Sequence, residues 1–334
     1  MNNINNPRRN FLYKAAAAMA VPLLPGMASA QAGLADSFPN KPIKIIVPFA
    51  PGGPTDLMAR TIAKPLSESL KQPVVVYNKP GGGGIIALGE VRNDAADGYA
   101  LAFPSIQAVT NPALHSDFPF DMERDFTGVT VVGYISHILV VKPDFPAKNL
   151  QEFVAMVKAK PDAYSYGSSG NGSSGNLAME MFKDRAGIKL THVPYRGAAP
   201  AVQDLVAGHI QTVFLDTTIA IPLLESKKLR ALAVAPAKRA AILPDVPTIA
   251  EQGYPGFDIH AWYGLLARAG TPAPIIQKLY QHTQKALQDP GVLKTFSSLG
   301  IEPGGLIPDE FNKTIRQDLK MWKDIANKLN LKIQ

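Results

Sequence analysis

The chain has 334 residues, a formal net charge of +7 and no cysteine. Its length suffices for two hydrophobic cores, and the lack of cysteine excludes disulfides, thiolate catalysis and cysteine-ligated metals. The charge is mild and contains no run of five like charges, which argues against nucleic-acid binding and favours small anionic ligands.

The first 30 residues are predicted to be an export signal. Arg8 and Arg9 precede an apolar run at residues 15–24 that is too short to cross a bilayer, and residues 28–30 form an Ala-Ser-Ala cleavage site. The paired arginines favour a twin-arginine signal, with an ordinary Sec signal as the alternative. Cleavage near Ala30 removes three basic residues and no acid, so the net charge falls from +7 to +4. We therefore expect a periplasmic protein.

Apolar runs and helical patterns alternate in the first part of the mature chain. Strands are predicted at residues 43–49, 74–77 and 100–103, and helices at residues 56–70 and 85–93 connect them. Pro65 lies inside the first of these helices and predicts a kink. This βαβαβ order favours a mainly parallel sheet.

The alternation then starts again and predicts a second lobe. Strands are expected at residues 138–141, 164–166, 192–195, 212–215 and 229–234, helices at 150–160, 176–186 and 199–207, and two closing helices near 274–288 and 308–329. We assign residues 36–137 with 260–334 to lobe 1 and residues 138–259 to lobe 2. The lobes should be joined by a hinge near residues 134–142 and 257–267. The predicted fold class is α/β, with each lobe a mainly parallel sheet flanked by helices.

Residues 49–56, here called the first loop, join the first strand to the first helix. Their glycines allow a sharp turn, and Pro54 suits the first helical position. Free N–H groups at a helix start favour a carboxylate or phosphate, to which Thr55 can add a hydroxyl donor. The alternative is a tight turn in which Thr55 or Asp56 caps the helix.

Residues 166–176, here called the second loop, occupy the equivalent place in lobe 2. The loop is rich in hydroxyl, amide and backbone donors, which can hold an anion without a full counter-charge. A flexible glycine-serine linker is the alternative, but a strand leads directly in and a helix directly out.

Asp216 follows a predicted strand and could face a cleft between the lobes, where it would accept a hydrogen bond from a ligand. Capping of the next helix is an equal alternative. Tyr195, Arg196 and Trp262 are further cleft candidates. Arg196 could pair with a second ligand carboxylate, and a solvated surface arginine is the alternative.

Catalytic and cofactor signatures are missing from the sequence. Gly170, Gly172 and Gly175 match G-x-G-x-x-G, but no acidic residue stands where a dinucleotide ribose would need one. The histidines lack zinc-ligand spacing, and neither a nucleophile elbow nor a phosphate-binding P-loop occurs. We expect no catalytic residue, no cofactor and no metal.

Several ordered motifs make the chain similar to one family. They are residues 45–53 (Ile-Ile-Val-Pro-Phe-Ala-Pro-Gly-Gly) with Asp56, residues 78–81, 97–99 and 111–114, the second loop, residues 193–197, and residues 243–248 and 251–253. The chain resembles the solute-binding receptors of tripartite tricarboxylate transporters, the Bug family. Ala96 and His115 depart from the family pattern, and His115 leaves the rim of the cleft open.

The resemblance implies a two-lobed periplasmic-binding-protein fold of the Venus flytrap type, type II, with no catalysis. It implies a monomer that binds a small mono- or dicarboxylate, or an aromatic or amide relative, and delivers it to the large and small membrane subunits of a transporter. The ligand-binding residues that it implies are Phe49, Ala50, Pro51, Gly52, Gly53, Thr55, Asp56, Ser168, Asn171, Gly172, Ser173 and Asp216. Two alternatives are an exported cofactor-dependent enzyme and a receptor that serves a sensor.

Overall fold

The computed structural model describes residues 37–161, 163–329 and 331. The predicted signal at residues 1–30 and its cleavage site lie outside the described residues. Internal contacts separate Met1–Phe38 from Pro39–Gln334, and every element below belongs to the second unit. Within the described residues, no helix is long and apolar enough to cross a membrane.

The described residues of this unit form ten strands and eleven α-helices. The strands are β1 (Ile43–Val47), β2 (Val74–Asn78), β3 (Ala100–Ala102), β4 (Phe126–Val141), β5 (Ser165–Ser168), β6 (Thr191–Pro194), β7 (Thr212–Asp216), β8 (Arg230–Val234), β9 (His260–Arg268) and β10 (Ile301–Pro303). The helices are α1 (Pro54–Leu70), α2 (Ile85–Asn93), α3 (Gln107–Leu114), α4 (Met122–Asp125), α5 (Leu150–Ala159), α6 (Ser174–Ala186), α7 (Ala198–Ala207), α8 (Thr217–Glu225), α9 (Ala273–Leu287), α10 (Pro290–Ser298) and α11 (Pro308–Lys328).

The strands make a mixed sheet in the order β2-β1-β3-β9-β4-β7-β5-β6, and β8 and β10 also pair with β4. Pairing is parallel in the β2-β1-β3 part and in the β7-β5-β6 part. It is antiparallel wherever β4 or β9 takes part. The parallel segments are those that the βαβ pattern predicts, and the antiparallel strands join them.

Strand β4 runs through both halves of the sheet. Residues 126–136 of β4 pair with β9, whereas residues 137–141 pair with β7 and β8. The partner therefore changes between Ser136 and His137, inside a single 16-residue strand. The predicted lobe boundaries near residues 137 and 259 stay a prediction.

The second half of the sheet has a hydrophobic core on each face. Successive residues of a strand point to opposite faces, so Leu139 and Val141 enter one core while Ile138 and Val140 enter the other. Helices α5 and α6 cover the first core, and α7 and α8 cover the second. This layering leaves the carboxyl ends of β5 and β7 open for the loops that follow them.

Helix α11 packs across the long strands. Phe311 lies so close to Gly128 and Gly264 that a β-carbon would come within 2.7 Å of its ring at Gly128 and 2.6 Å at Gly264. Its ring also contacts Trp262 edge-to-face at 5.2 Å. Only glycine permits this approach, which seats the C-terminal helix against β4 and β9.

No range was predicted from the sequence for four of the helices, namely α3, α4, α8 and α10. Helices α3 and α8 contain Pro112 and Pro222 in their interiors, which argues against a helix on local grounds. Tertiary packing stabilises them: Val109 of α3 and Ala220 of α8 are fully buried. Helix α1 likewise continues through Pro65 to Leu70.

Candidate functional site

The buried side chain of Asp56, which is 4% exposed, stabilises the first loop through hydrogen bonds. The Gly52 N–H donates to Asp56 Oδ2 at 2.9 Å, and Arg60 Nε lies 3.0 Å from both carboxylate oxygens. Asn78 donates from Nδ2 to Asp56 Oδ1 at 2.8 Å and to the Phe49 carbonyl at 3.0 Å. The Asp56 carboxylate thus holds the first loop in shape, and its predicted part in ligand binding stays a prediction.

These contacts decide the ionisation of Asp56. Burial by itself raises the pKa of the Asp56 carboxyl, but the hydrogen bonds from Arg60, Gly52 and Asn78 outweigh burial and lower the pKa below its ordinary value. The carboxylate is therefore charged whenever the loop is in this arrangement near neutral pH.

Helix α1 starts directly under the loop with no side-chain cap. Gly53 is the N-cap residue, and Pro54 supplies no N–H, so the remaining N–H groups of the first turn point out of the helix start. Neither Thr55 nor Asp56 is the N-cap, which disagrees with the capping alternative. Among the described residues, the Thr55 hydroxyl forms no hydrogen bond. This helix start can accept an anion.

The glycine requirement of the first loop lies at Gly52. Gly52 has φ +88°, which favours glycine, whereas Gly53 has φ −81° and an extended backbone. The expectation that Gly53 is needed for the sharp turn is not supported by its backbone. A β-carbon at Gly53 would meet nothing closer than the Ala50 carbonyl oxygen at 3.9 Å.

The second loop repeats the anchoring of the first. The Gly172 N–H donates to Asn176 Oδ1 at 2.9 Å, again from a glycine with positive φ to a side chain four residues later. Asn176 Nδ2 donates to the Tyr166 hydroxyl at 2.7 Å, and that hydroxyl donates to Glu180. Burial and then the Glu180 carboxylate raise the pKa of Tyr166. The phenol therefore stays protonated and keeps this donor chain in place.

Two predicted hydroxyls of the second loop are already used within it. Ser168 Oγ lies 2.7 Å from His192 Nε2 and also donates to the Gly170 carbonyl at 3.0 Å. Ser173 caps α6 by accepting from the Asn176 N–H at 3.4 Å. Asn171 is exposed and forms no hydrogen bond among the described residues. That these residues bind a ligand stays a prediction. The hydrogen bonds of Ser168 and Ser173 in this structure stabilise the conformation of the loop.

Asp216 meets a histidine that sequence analysis had not singled out. His137 Nε2 lies 3.1 Å from Asp216 Oδ1 and 2.8 Å from Ser174 Oγ, and His137 is 1% exposed. Asp216 occupies the N-cap position of α8, but its side chain makes no capping hydrogen bond. Its carboxylate is therefore directed to His137 rather than to the helix.

The same three residues border a small cavity of about 20 Å³. Ser169 also lines it, and the volume is about that needed by one water molecule. Ser169 directly follows the predicted Ser168 in the sequence, and Ser174 directly follows the predicted Ser173. The serines that line the cavity are therefore one residue later than the predicted ones. The sequence offers no signal for that shift, because all four positions are serine.

Tyr263 connects this cluster to the other half of the sheet. It lies on β9, pairs with Ser105 after β3, and is buried. Burial and then the charge of Asp216 raise its pKa well above the ordinary value. Asp216 therefore lies close enough to β9 for its charge to act on Tyr263.

The two loops themselves are not brought into contact. Among the described residues no hydrogen bond, ion pair or ring contact joins residues 49–56 to residues 166–176. Within the described ranges, the hydrogen-bond partners of each loop come from its own half of the sheet.

The other cleft candidates have different surroundings. The Tyr195 hydroxyl donates to Asp204 at 2.6 Å. Arg196 is exposed, and Trp262 Nε1 donates to Asp318 at 2.8 Å on the opposite face of β9 from Tyr263. Within the described residues, no cluster of three or more His, Asp or Glu side chains could hold a metal ion.

Comparison with known proteins identifies a family. Residues 58–331 match the family described as "Tripartite tricarboxylate transporter family receptor". Protein BugT from Bordetella pertussis is 35% identical over 302 residues, which cover 90% of this chain and 93% of the relative.

Two solved structures from Rhodopseudomonas palustris are similar along nearly their whole length. One, determined with adipate, has a TM-score of 0.78 and 32% identity and covers 88% of this chain and 98% of its own. The other, MatC with bound malate, has a TM-score of 0.75 and 31% identity and covers 86% of this chain and 100% of its own. The two-lobed binding-protein fold expected from the sequence is thereby confirmed.

The anchoring role of Asp56 predicts a pH-dependent loss of stability. Because its pKa is lowered in the folded state, Asp56 stabilises the protein above the ordinary aspartate pKa, and this contribution is lost as the pH falls through the folded pKa. Asp56→Asn should lower the free energy of unfolding at neutral pH by about 1–3 kcal/mol. The difference from wild type should shrink in acid, as measured by urea unfolding across the acidic range.

Asp324→Asn is the matched control, since Asp324 is exposed and, in the part of the chain that the structure describes, pairs only with Lys320 at 3.1 Å. It should change the free energy of unfolding by less than about 0.5 kcal/mol at any pH. A pH-independent effect of Asp56→Asn would show that Asp56 acts through packing rather than through its charge.

Proposed function

Because the chain belongs to the tripartite tricarboxylate transporter receptor family, we propose that it captures a small carboxylate in the periplasm and delivers it to the membrane subunits of such a transporter. Membership of a receptor family agrees with the prediction that the chain is not an enzyme. The observation that supports a carboxylate ligand is the similar structure of the two loops. Each presents a helix start beneath a glycine-rich turn, with few cationic side chains around it.

Backbone N–H groups and hydroxyls supply the binding energy in this proposal. The first loop offers the open N–H groups of α1 and the unbonded hydroxyl of Thr55. In the second half, His137 Nε2 is within hydrogen-bond distance of both Asp216 and Ser174. An Nε2–H that donates to both oxygens leaves the Ser174 proton free for a ligand carboxylate. Ser174 therefore joins the predicted binding residues.

The ligand that we propose is a dicarboxylate or a close relative. Two similar proteins were solved with adipate and with malate, both of which carry two carboxylates. One carboxylate would bind between the two loops, and the other end of the ligand would approach the cluster around Asp216. Because Asp216 is negative, we propose that it favours a ligand end that carries a donor, such as a hydroxyl, an amine or a protonated acid.

Export and assembly follow the same proposal. The predicted signal at residues 1–30 would direct the chain to the periplasm, and cleavage near Ala30 would release a monomer. Lobe 1 (residues 36–137 and 260–334) and lobe 2 (residues 138–259) would close on the ligand and present the closed form to the membrane subunits.

The loops are tested by calorimetry with malate and adipate as probes. Ser174→Ala should weaken binding about tenfold to a hundredfold, because a hydrogen bond to a charged group contributes about 1.5–3 kcal/mol. Gly172→Ala should weaken it at least as much, since alanine disfavours φ +72° and shifts the loop.

Two variants serve as controls for that measurement. Gly187→Ala places alanine at φ +61° at the far end of α6, where a β-carbon meets nothing within 4 Å, so it carries a similar backbone penalty and should bind normally. Arg196→Ala should cost less than Gly172→Ala. If Arg196→Ala abolished binding while Gly172→Ala bound normally, the anion site would be elsewhere.

Closure is tested by small-angle scattering on the mature chain. Contacts from both loops to one ligand exist only when the lobes approach, so saturating ligand should shift the population to a more compact form. The radius of gyration should therefore fall on ligand addition. An unchanged radius, with binding confirmed by calorimetry, would contradict closure as the signal to the membrane subunits.

The role of Asp216 is tested by the rank order of ligands. Asp216→Asn should admit ligands with an additional negative charge while retaining binding through the loops. The measurement is an affinity panel of malate, adipate and their half-amides for wild type and variant. The same rank order in both proteins would leave Asp216 only a structural partner of His137.

A further inference from the structure

A second cavity lies behind the long strands and is here called the rear cavity. Its volume is about 750 Å³, within the ordinary range of small-molecule sites. Aromatic side chains (Tyr134, Trp262 and Trp322) and carboxylates (Asp258, Glu302 and Asp318) line much of it. It is bordered by β4, β9, β10, helix α11 and the segment before β9.

The rear cavity is separate from the proposed carboxylate site. Trp262 and Tyr263 are neighbours on β9, so their side chains point to opposite faces. Tyr263 is buried and lies within range of the Asp216 charge, and burial and then that charge raise its pKa, whereas Trp262 lines the rear cavity. A molecule in the rear cavity would therefore touch neither of the two loops.

Both tryptophans of the chain line this cavity, and they differ in their hydrogen bonds. Trp262 Nε1 donates to Asp318 Oδ2 at 2.8 Å. Trp322 is 3% exposed, and its Nε1 has no hydrogen-bond partner among the described residues. A buried indole N–H without an acceptor is uncommon, and a ligand oxygen in the cavity would supply one.

The charges of the lining are mainly negative. Among the described residues that line the cavity there are three carboxylates, whereas Lys238 is the only lysine or arginine. Asp258 is paired with His260 at 2.7 Å. Asp318 accepts only the hydrogen bond from Trp262 among the described residues, and no cation pairs with it. Burial raises the pKa of Asp318 to about 6, although the Trp262 hydrogen bond and His260 act in the opposite direction.

We propose that the rear cavity binds a compact organic cation, an aromatic or alkyl amine, with its ammonium group on Asp318 and its apolar part against the indole rings. Charge pairing would relieve the desolvation of the Asp318 carboxylate. The aromatic faces favour a cation near them, and a hydroxyl on the amine would accept from Trp322 Nε1. This site does not depend on the proposed carboxylate function.

Benzylamine and benzyl alcohol are matched probes, since they share a ring and differ in charge. Because both tryptophans line the cavity, the whole intrinsic tryptophan fluorescence reports on it. Benzylamine should change the fluorescence in a saturable manner, and benzyl alcohol should bind at least tenfold more weakly. Asp318→Asn should weaken benzylamine binding about tenfold or more, because it removes a hydrogen bond to a charged group worth about 1.5–3 kcal/mol.

Asp324→Asn is the matched control, because it makes the same charge change on helix α11 at an exposed position outside the cavity. It should leave benzylamine binding unchanged. Should Asp318→Asn fail to fold, Glu302→Gln on β10 provides a second removal of charge and should also weaken binding.

The pH dependence gives an independent check. Asp318 has a raised pKa, so its charge is present above about pH 6 and is lost below it. The other titratable or charged groups that line the cavity are His260, Asp258, Glu302, Lys238 and Tyr134; burial and then the charge of Asp318 raise the pKa of Tyr134. Benzylamine affinity should therefore fall as the pH is lowered from about 7.5 to about 5. Equal binding of the two probes, or unchanged benzylamine binding in Asp318→Asn, would overturn the proposal.

Discussion

One strand, β4, makes backbone hydrogen bonds in both halves of the sheet, and the position of the candidate site depends on it. Its partner changes from β9 to β7 and β8 between Ser136 and His137. Because β4 is a single continuous strand, it joins the two halves of the sheet. His137, the first residue beyond the change, is buried and lies within hydrogen-bond distance of Ser174 and Asp216. The candidate site thus begins where the two halves of the sheet join.

The same type of hydrogen bond stabilises both loops. In each loop a glycine with positive φ donates its N–H to a side chain four residues later, Asp56 in one case and Asn176 in the other. The anchoring side chain differs in charge because its surroundings differ. Asp56 is balanced by Arg60, whereas Asn176 passes its hydrogen bond to Tyr166 and so to Glu180. The start of α1 has no side-chain cap, which is the property that an anion site needs, whereas Ser173 caps the start of α6.

Polar groups are distributed unequally on the two faces of the crossing strands. Toward the loops lie hydroxyls, backbone N–H groups and two carboxylates, of which Asp56 pairs with Arg60 and Asp216 lies 3.1 Å from His137 Nε2. On the opposite face lie Asp258, Glu302 and Asp318 with both tryptophans. Strand alternation produces this separation, since adjacent residues such as Trp262 and Tyr263 must face opposite sides.

Periodicity along the chain was enough to predict the βαβ segments, with a strand before and a helix after each of the two loops, because strand and helix patterns are local properties. The length of β4 was not predictable, since Phe126–Val141 is buried on both faces and shows no clear alternation. Local sequence also argued against α3 and α8, whose prolines are tolerated because packing stabilises them. Only the tertiary structure showed that His137 contacts Asp216, which is 79 residues later in the sequence. It also showed that Ser169 and Ser174, rather than the serines before them, line the small cavity. These are contacts between distant segments, and their geometry depends on strand register, which no single stretch of sequence determines.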